Sequence, residues 1–231
     1  MKTIEEESMA KLCIALDTNL QQALDLVGAL RGYPLIFKVG YKLFINHHKV
    51  ITDKVKETGF ELFLDLKLHD IPNTVKEGVI SARDLGADYL TIHISAGKEA
   101  LKQAVEVKGK IKLLGVSLLT SLSEEDLLDL GICRDRESHV LELARLAVET
   151  GFDGIVCSGQ EVTLLKERLQ RPFLAVVPGI RLEGQPAEDQ KRVISVEEAL
   201  QRGADILVMG RSILRSENPV KRVEEILLML A

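Results

Sequence analysis

Tryptophan is missing from this 231-residue chain, and aromatic residues together make up only 4% of it. Its core must therefore be packed from leucine, isoleucine, valine and alanine. Long apolar runs are missing as well. No uninterrupted stretch approaches the roughly 20 residues of a membrane span, so no membrane association is expected. Basic residues do not cluster, and the net charge is −5, which argues against a nucleic-acid partner. The opening MKTIEEESMA is acidic and lacks the apolar centre of a secretory leader, so a cytoplasmic protein is expected. Cysteine is sparse and odd in number. Cys13 and Cys157 sit inside apolar runs and Cys133 lies far from both, the pattern of free thiols in a reducing compartment. No CxxC or HxxxH spacing suggests a metal, and no GxGxxG or Walker A pattern is present.

What remains is a regular alternation. Short apolar runs occupy 11–17, 34–40, 61–67, 87–93, 111–120, 152–158, 173–179 and 204–210. Amphipathic segments lie between them. Those at 19–32, 73–86 and 137–151 each end near a helix-stopping glycine, and the last opens with Asn218 as N-cap and Pro219 at the first helical position. Eight strands alternating with helices imply parallel βα units. At this length, residues 1–231 are expected to form a single (β/α)₈ TIM barrel domain, of the α/β class. A doubly wound open sheet is the alternative. It usually opens with a glycine-rich first turn, whereas the first run here ends in Asp17-Thr18-Asn19. Two long connections, 121–136 and 180–195, fall where barrels carry lids and ligand contacts.

The segment LFLDLKLHDIPNT at 62–74 sets charges into the most apolar part of the chain. Alternate side chains of a strand share a face. Phe63, Asp65 and Lys67 then point into the barrel, and Leu62, Leu64, Leu66 and Leu68 point to the helices. Asp17, Lys38 and His93 close or nearly close strands one, two and four, so five ionisable groups are expected at one mouth. Asp70 follows shortly after. One buried ion pair would be ordinary structure, but an alternating Asp17, Lys38, Asp65, Lys67, Asp70 set has little structural reason, because buried pairs seldom stabilise better than apolar packing. It points to a site. His93 divides evenly between a site role and backbone support. His69 is expected to buttress the turn, His47 and His48 to be exposed, His139 to cap a helix or lie at the surface, and Glu124-Glu125-Asp126 to form a solvated helix start.

A second cluster is expected across the mouth. Strand seven runs into PGIR (178–181) and strand eight into GRSI (210–213). Gly179 and Gly210 allow close backbone approach, and Arg181 and Arg211 offer forked donors suited to a phosphate. Loops after strands seven and eight are a frequent phosphate site of such barrels.

DLKLHDIPNT (65–74) resembles the signature of the orotidine 5′-phosphate decarboxylase family, which makes UMP from OMP. IALD (14–17), FKVG (37–40), LTIH (90–93), LTS (119–121), DGIVCS (153–158), VPGIR (177–181), DQKRV (189–193) and GRSI (210–213) follow that family's order. The resemblance implies a homodimeric barrel that decarboxylates OMP in the last step of UMP synthesis without cofactor or metal. It implies that Lys67 donates a proton to C6 and that Asp65 lies near the departing CO₂. Lys38 and Asp70 would complete the charged row, with Asp70, Ile71 and Thr74 contributed across the dimer interface. Asp17 and Lys38 match ribose contacts. Thr120, with Ser121 or Ser123, matches the pyrimidine-edge segment, and Arg181, Gln190, Gly210 and Arg211 match the phosphate contacts. Two other readings remain open. Metal-dependent sugar-phosphate decarboxylases and hexulose-phosphate synthases share DxKxxD, although IPNT after Asp70 favours OMP. A non-catalytic phospho-ligand barrel is the other, against which the complete Asp/Lys row stands.

Overall fold

The computed structural model describes residues 10–182 and 193–230. Eight parallel strands pair in sequence order and close into a barrel, β1 against β8. They are β1 (Lys11–Ala15), β2 (Leu35–Val39), β3 (Glu61–Leu68), β4 (Tyr89–His93), β5 (Lys112–Val116), β6 (Gly154–Val156), β7 (Leu174–Pro178) and β8 (Ile206–Met209). Helices cover the outside: α1 (Leu20–Ala29), α2 (Tyr41–Glu57), α3 (Pro72–Asp84), α4 (Lys98–Val107), α5 (Glu124–Asp129), α6 (Arg136–Thr150), α7 (Val162–Arg168), α8 (Val196–Gln201), α9 (Arg211–Leu214) and α10 (Pro219–Leu230). The barrel follows from the alternation of apolar runs and amphipathic segments, which leaves each strand two faces to bury. One face meets the helices, through residues such as Leu62, Leu64, Leu90 and Ile92. The other fills the barrel with Cys13, Ile36, Phe63, Tyr89, Leu114 and Ile206.

Several strands are shorter than their apolar runs. The run at 111–120 stops pairing at Val116, which leaves Thr120 on a loop. β6 keeps only three residues. The helix ends match their capping chemistry. Asn19 and Asn218 each accept a backbone N–H three residues on, from Gln22 at 2.9 Å and Lys221 at 3.0 Å. α6 closes on Gly151 in the left-handed region, at φ 107°. Its opening differs from expectation: Asp135, not His139, supplies the cap, by accepting the Ser138 N–H, and half-buried His139 lies within the helix. An aspartate one residue before the first helical turn outcompetes a ring inside it. His47 is also half-buried, at a kink in α2, while His48 is exposed. Glu124, Glu125 and Asp126 do open α5, within a Ser123–Asp126 capping box.

The lower rim, at the strand N-termini, is fastened by one device used three times. Asp88, Asp153 and Asp205 each immediately precede an even-numbered strand. Their Oδ2 atoms accept the backbone N–H of Leu62, Leu113 and Ala175, each near the start of the odd-numbered strand alongside, at 2.7, 2.8 and 2.6 Å. The same oxygens bind Lys56, Lys108 and Lys166, from the ends or flanks of the helices leading into those strands.

β6 packs tightest. A Cβ on Gly154 would lie 2.7 Å from a Leu114 methyl and 2.8 Å from the Leu174 carbonyl oxygen. Backbone cannot retreat as a flexible side chain can. Gly154→Ala is therefore expected to lose about 1–3 kcal/mol of stability, measured by urea denaturation. An unchanged midpoint would show that the neighbouring strands can move aside.

Candidate active site

The C-terminal ends of the strands surround a cavity of about 640 Å³. Asp17, Lys38, Asp65 and Lys67 line one side of it, and Gly179, Arg181, Gly210 and Arg211 another. Thr120 also lines it, whereas Ser121 and Ser123 do not. Ser123 is engaged in capping α5. Of the three hydroxyl-bearing residues considered from sequence, Thr120 is thus the one that lines this cavity.

Asp65 is the centre of the charged side. Its Oδ2 lies 3.0 Å from the Lys38 ammonium, and its Oδ1 lies 2.8 Å from that of Lys67. Lys38 also reaches Asp17 at 3.8 Å. Burial pushes the Asp65 carboxyl up, but Lys38 and then Lys67 outweigh it and hold the group down at about 2. Burial would likewise lower Lys38, but Asp65 and Asp17 overcome it and leave its affinity for a proton raised. At neutral pH the Lys38–Asp65 pair is thus ionised. Burial pushes the thiols of Cys13 and Cys157 well up, so neither supplies a thiolate there.

The local path of β3 is unusual. Leu64 pairs with Leu90 and Leu68 with Ile92, so four residue steps on β3 face two on β4. This bulge sits at Asp65, Leu66 and Lys67, and Lys67 has φ 45°, the single non-glycine residue with positive φ among the described residues. Thr91, inside the barrel on β4, faces the bulge. Its hydroxyl accepts the Lys67 N–H at 2.9 Å and donates to Asp65 Oδ1 at 3.0 Å. Sequence reasoning passed over Thr91. The alternation along YLTIH, with Tyr89 inside and Leu90 and Ile92 outside, would have placed it in the barrel.

One expected member of the mouth lies elsewhere. His93 is not a lining residue. Its ring packs beside His69, centroids 5.4 Å apart, because the β3 bulge carries the following segment past the end of β4. Burial, then His69 and Lys67, lower its affinity for a proton. Asp70 stands outside the charge network and exposed, with its Oδ1 accepting the Ile71 N–H at 2.7 Å. Ile71 and Thr74 are exposed too.

On the opposite side, Gly179 has φ 81° and turns the chain so that buried Arg181 enters the cavity wall. The turn is braced by Ile194, whose carbonyl accepts the Arg181 N–H at 3.0 Å and whose N–H donates to Gly179 at 3.3 Å. A Cβ on Gly210 would lie 3.3 Å from that of Ala15, so the β8 backbone passes close to β1. Arg215, unremarked in the sequence, joins Arg181 and Arg211 in the lining. Gln190 lies outside the described residues. Guanidiniums beside close-approaching backbone suit an anion; ammoniums beside a carboxylate suit proton transfer and charge stabilisation. Among the described residues, no group of three or more His, Cys, Asp or Glu side chains is placed to hold a metal, and no helix is long and apolar enough to cross a membrane.

Asp65→Asn would leave buried Lys38 without its main counter-charge. A loss of about 3–5 kcal/mol is expected at neutral pH, read by denaturant unfolding. The native carboxyl titrates at about 2, below the ~3.9 of an unfolded aspartate. Its contribution is therefore complete above pH ~4 and lost as pH falls toward 2. The Asn variant should lose less stability across that window than the parent; equal acid sensitivity would contradict the assignment.

The chain is similar over nearly its whole length to several proteins named orotidine 5'-phosphate decarboxylase. A model of the Orotidine 5'-phosphate decarboxylase / HUMPS family matches residues 10–226. The orotidine 5'-phosphate decarboxylase of Aquifex aeolicus is 44% identical over 228 residues, spanning 96% of this chain and 99% of that one. Its counterpart from Idiomarina loihiensis is 41% identical over 225 residues, 95% and 97% of the two chains. The crystal structure of orotidine 5'-phosphate decarboxylase from Lactobacillus acidophilus aligns with a TM-score of 0.83 at 34% identity, covering 96% of this chain and 99% of that one. Barrel, mouth and sequence thus lead to one assignment: the chain belongs to the Orotidine 5'-phosphate decarboxylase / HUMPS family.

Proposed function

We propose that this chain is a carboxy-lyase that converts orotidine 5′-monophosphate to uridine 5′-monophosphate, the last step of UMP synthesis. The observation that carries the reading is the Lys38–Asp65–Lys67 array, which lines a single cavity together with Arg181 and Arg211. A nucleotide spans such a cavity, its phosphate against the arginines and its base toward the lysines. Gly210 provides backbone approach at the phosphate end, and Asp17 and Lys38 take the ribose hydroxyls. Thr120 meets the pyrimidine edge. The assignment of Gln190 to the phosphate rests on resemblance alone.

Breaking the bond from C6 to its carboxylate releases CO₂ and leaves an electron pair on C6. No adjacent carbonyl can accept that pair. Charges already in place must stabilise it, which costs no reorganisation during the reaction. The Lys67 ammonium provides the charge and then transfers a proton to C6, and the resulting amine is reprotonated from solvent. Asp65, ionised and fixed between two ammoniums, lies where the substrate carboxylate must sit and disfavours the bound ground state relative to the carbanion. Low surrounding dielectric strengthens both effects. The reading includes no metal or cofactor. Both Asp65 oxygens already face ammoniums, a poor setting for a divalent cation.

Asp70 is read as completing the charged row of a second copy, with Ile71 and Thr74 crossing the same interface. Exposed Tyr41, Ile45 and Ile71 support this, since they place apolar surface around the end of β3 where a partner would cover it. The protein is read as a cytoplasmic homodimer.

Turnover of OMP to UMP by the purified protein, followed by ultraviolet absorbance in excess EDTA, is expected. Failure there, with activity on sugar phosphates restored by Mg²⁺, would move the assignment to a metal-dependent enzyme of the same family. Lys67→Ala should abolish turnover without unfolding the chain, and substantial residual activity would remove Lys67 as proton donor. Mixing inactive Asp70→Ala with inactive Lys67→Ala subunits should restore part of the activity. No recovery despite demonstrated subunit exchange would mean that each site is built within one chain.

A further inference from the structure

We propose that Thr91 and Tyr41 are positioning residues that grip the Leu66–Lys67 peptide unit from both ends and thereby aim the Lys67 ammonium; the inference rests on the role of Lys67 given above. That peptide unit lies within the β3 bulge, between the last regular pairing at Leu64 and the next at Leu68. Its two polar groups are taken by side chains. The Leu66 carbonyl accepts the Tyr41 hydroxyl at 3.0 Å, and the Lys67 N–H donates to Thr91 Oγ1 at 2.9 Å. Such a unit would otherwise be free to rotate.

There is a reason for it to rotate. Lys67 holds φ 45°, a conformation that costs a residue with a side chain about 1–3 kcal/mol and persists only where the surroundings impose it. Rotation toward an ordinary extended conformation would turn the Lys67 side chain away from its present line. The two hydroxyls oppose that rotation from opposite ends of one plane. Thr91 does more. A hydroxyl can donate once while it accepts, and Thr91 gives its proton to Asp65 Oδ1 at 3.0 Å. The same oxygen receives the Lys67 ammonium at 2.8 Å. Thr91 thus fixes the backbone of the lysine and the carboxylate its ammonium faces, closing a small ring of contacts. It is 1% exposed, so no water replaces it. Valine at 91 would fill the same space and leave the Lys67 N–H and one Asp65 lone pair unmet.

The test compares Thr91→Val, Thr91→Ser and Tyr41→Phe by kcat and KM for OMP and by hydrogen exchange at the Lys67 amide. A misaimed reacting group can cost about 100-fold, so kcat of Thr91→Val should fall by roughly that factor with KM little changed. Thr91→Ser, which keeps the hydroxyl, should stay close to the parent. Exchange at Lys67 should quicken about tenfold in Thr91→Val, consistent with loss of one buried hydrogen bond, and not in Thr91→Ser. Tyr41→Phe removes only the hydroxyl and keeps the ring that the proposed partner would cover; it decides the matter should Thr91→Val fail to fold, and a lowered kcat with the dimer intact is expected there too. Unchanged kcat in both folded variants, or serine as damaging as valine, would overturn the proposal. A parent protein silent toward OMP would sink the decarboxylase reading and the kinetic half with it. Exchange at Lys67 would still decide whether the grip exists.

Discussion

Asp65 has two oxygens and two ammoniums to satisfy. Most of the mouth depends on that arithmetic. Lys38 is almost wholly enclosed, and a lone ammonium there would be driven toward the neutral amine. With Asp65 at 3.0 Å it stays charged. Lys67 is held by the other oxygen, so one carboxylate fixes two cations at separate points of the cavity floor. Its own ionisation persists down to about pH 2 for the same reason. Remove the carboxylate and both cations lose their reference; remove one cation and the carboxylate turns to the other. The arrangement is rigid because every partner is shared.

Such a cluster needs walls, and the barrel provides them at low structural cost. The strand interior below it is filled by side chains such as Phe63 and Ile36, which keep water from the underside. The arginine side is built differently. There the chain turns at Gly179, and Ile194 ties the turn back to the strand end, which fixes the backbone of Arg181 at the cavity wall. A carboxylate shared by two ammoniums in one part of the cavity and a braced turn carrying an arginine in another suit a substrate with a reacting end and a binding end.

Much of this was readable in the residues. The eight apolar runs and the helix cap at Asn218 come from local chemistry, and local chemistry decided them. Asp65 and Lys67 were legible as inward-facing because alternation along β3 survives the bulge: two extra residue steps preserve parity. For that same reason the bulge itself was invisible, and with it the positive φ of Lys67 and the displacement of His93. The choice of Thr120 over its neighbours depended on where β5 stops pairing, a property of the sheet and not of the run. Asp70 was assigned by resemblance to the charged row of a second copy, and in the single chain it stands outside the charge network.

The three aspartate fastenings on the lower rim have a meaning for how such a chain can change over time. Each joins a helix end, an odd strand and the following even strand into a unit secured far from the cavity. Residues at the mouth can then be exchanged without loosening the elements that carry them, because those elements are anchored at their other ends. A barrel so divided can explore new substrates at one rim while the opposite rim conserves its shape, which is the kind of separation that lets one scaffold found a lineage of related enzymes.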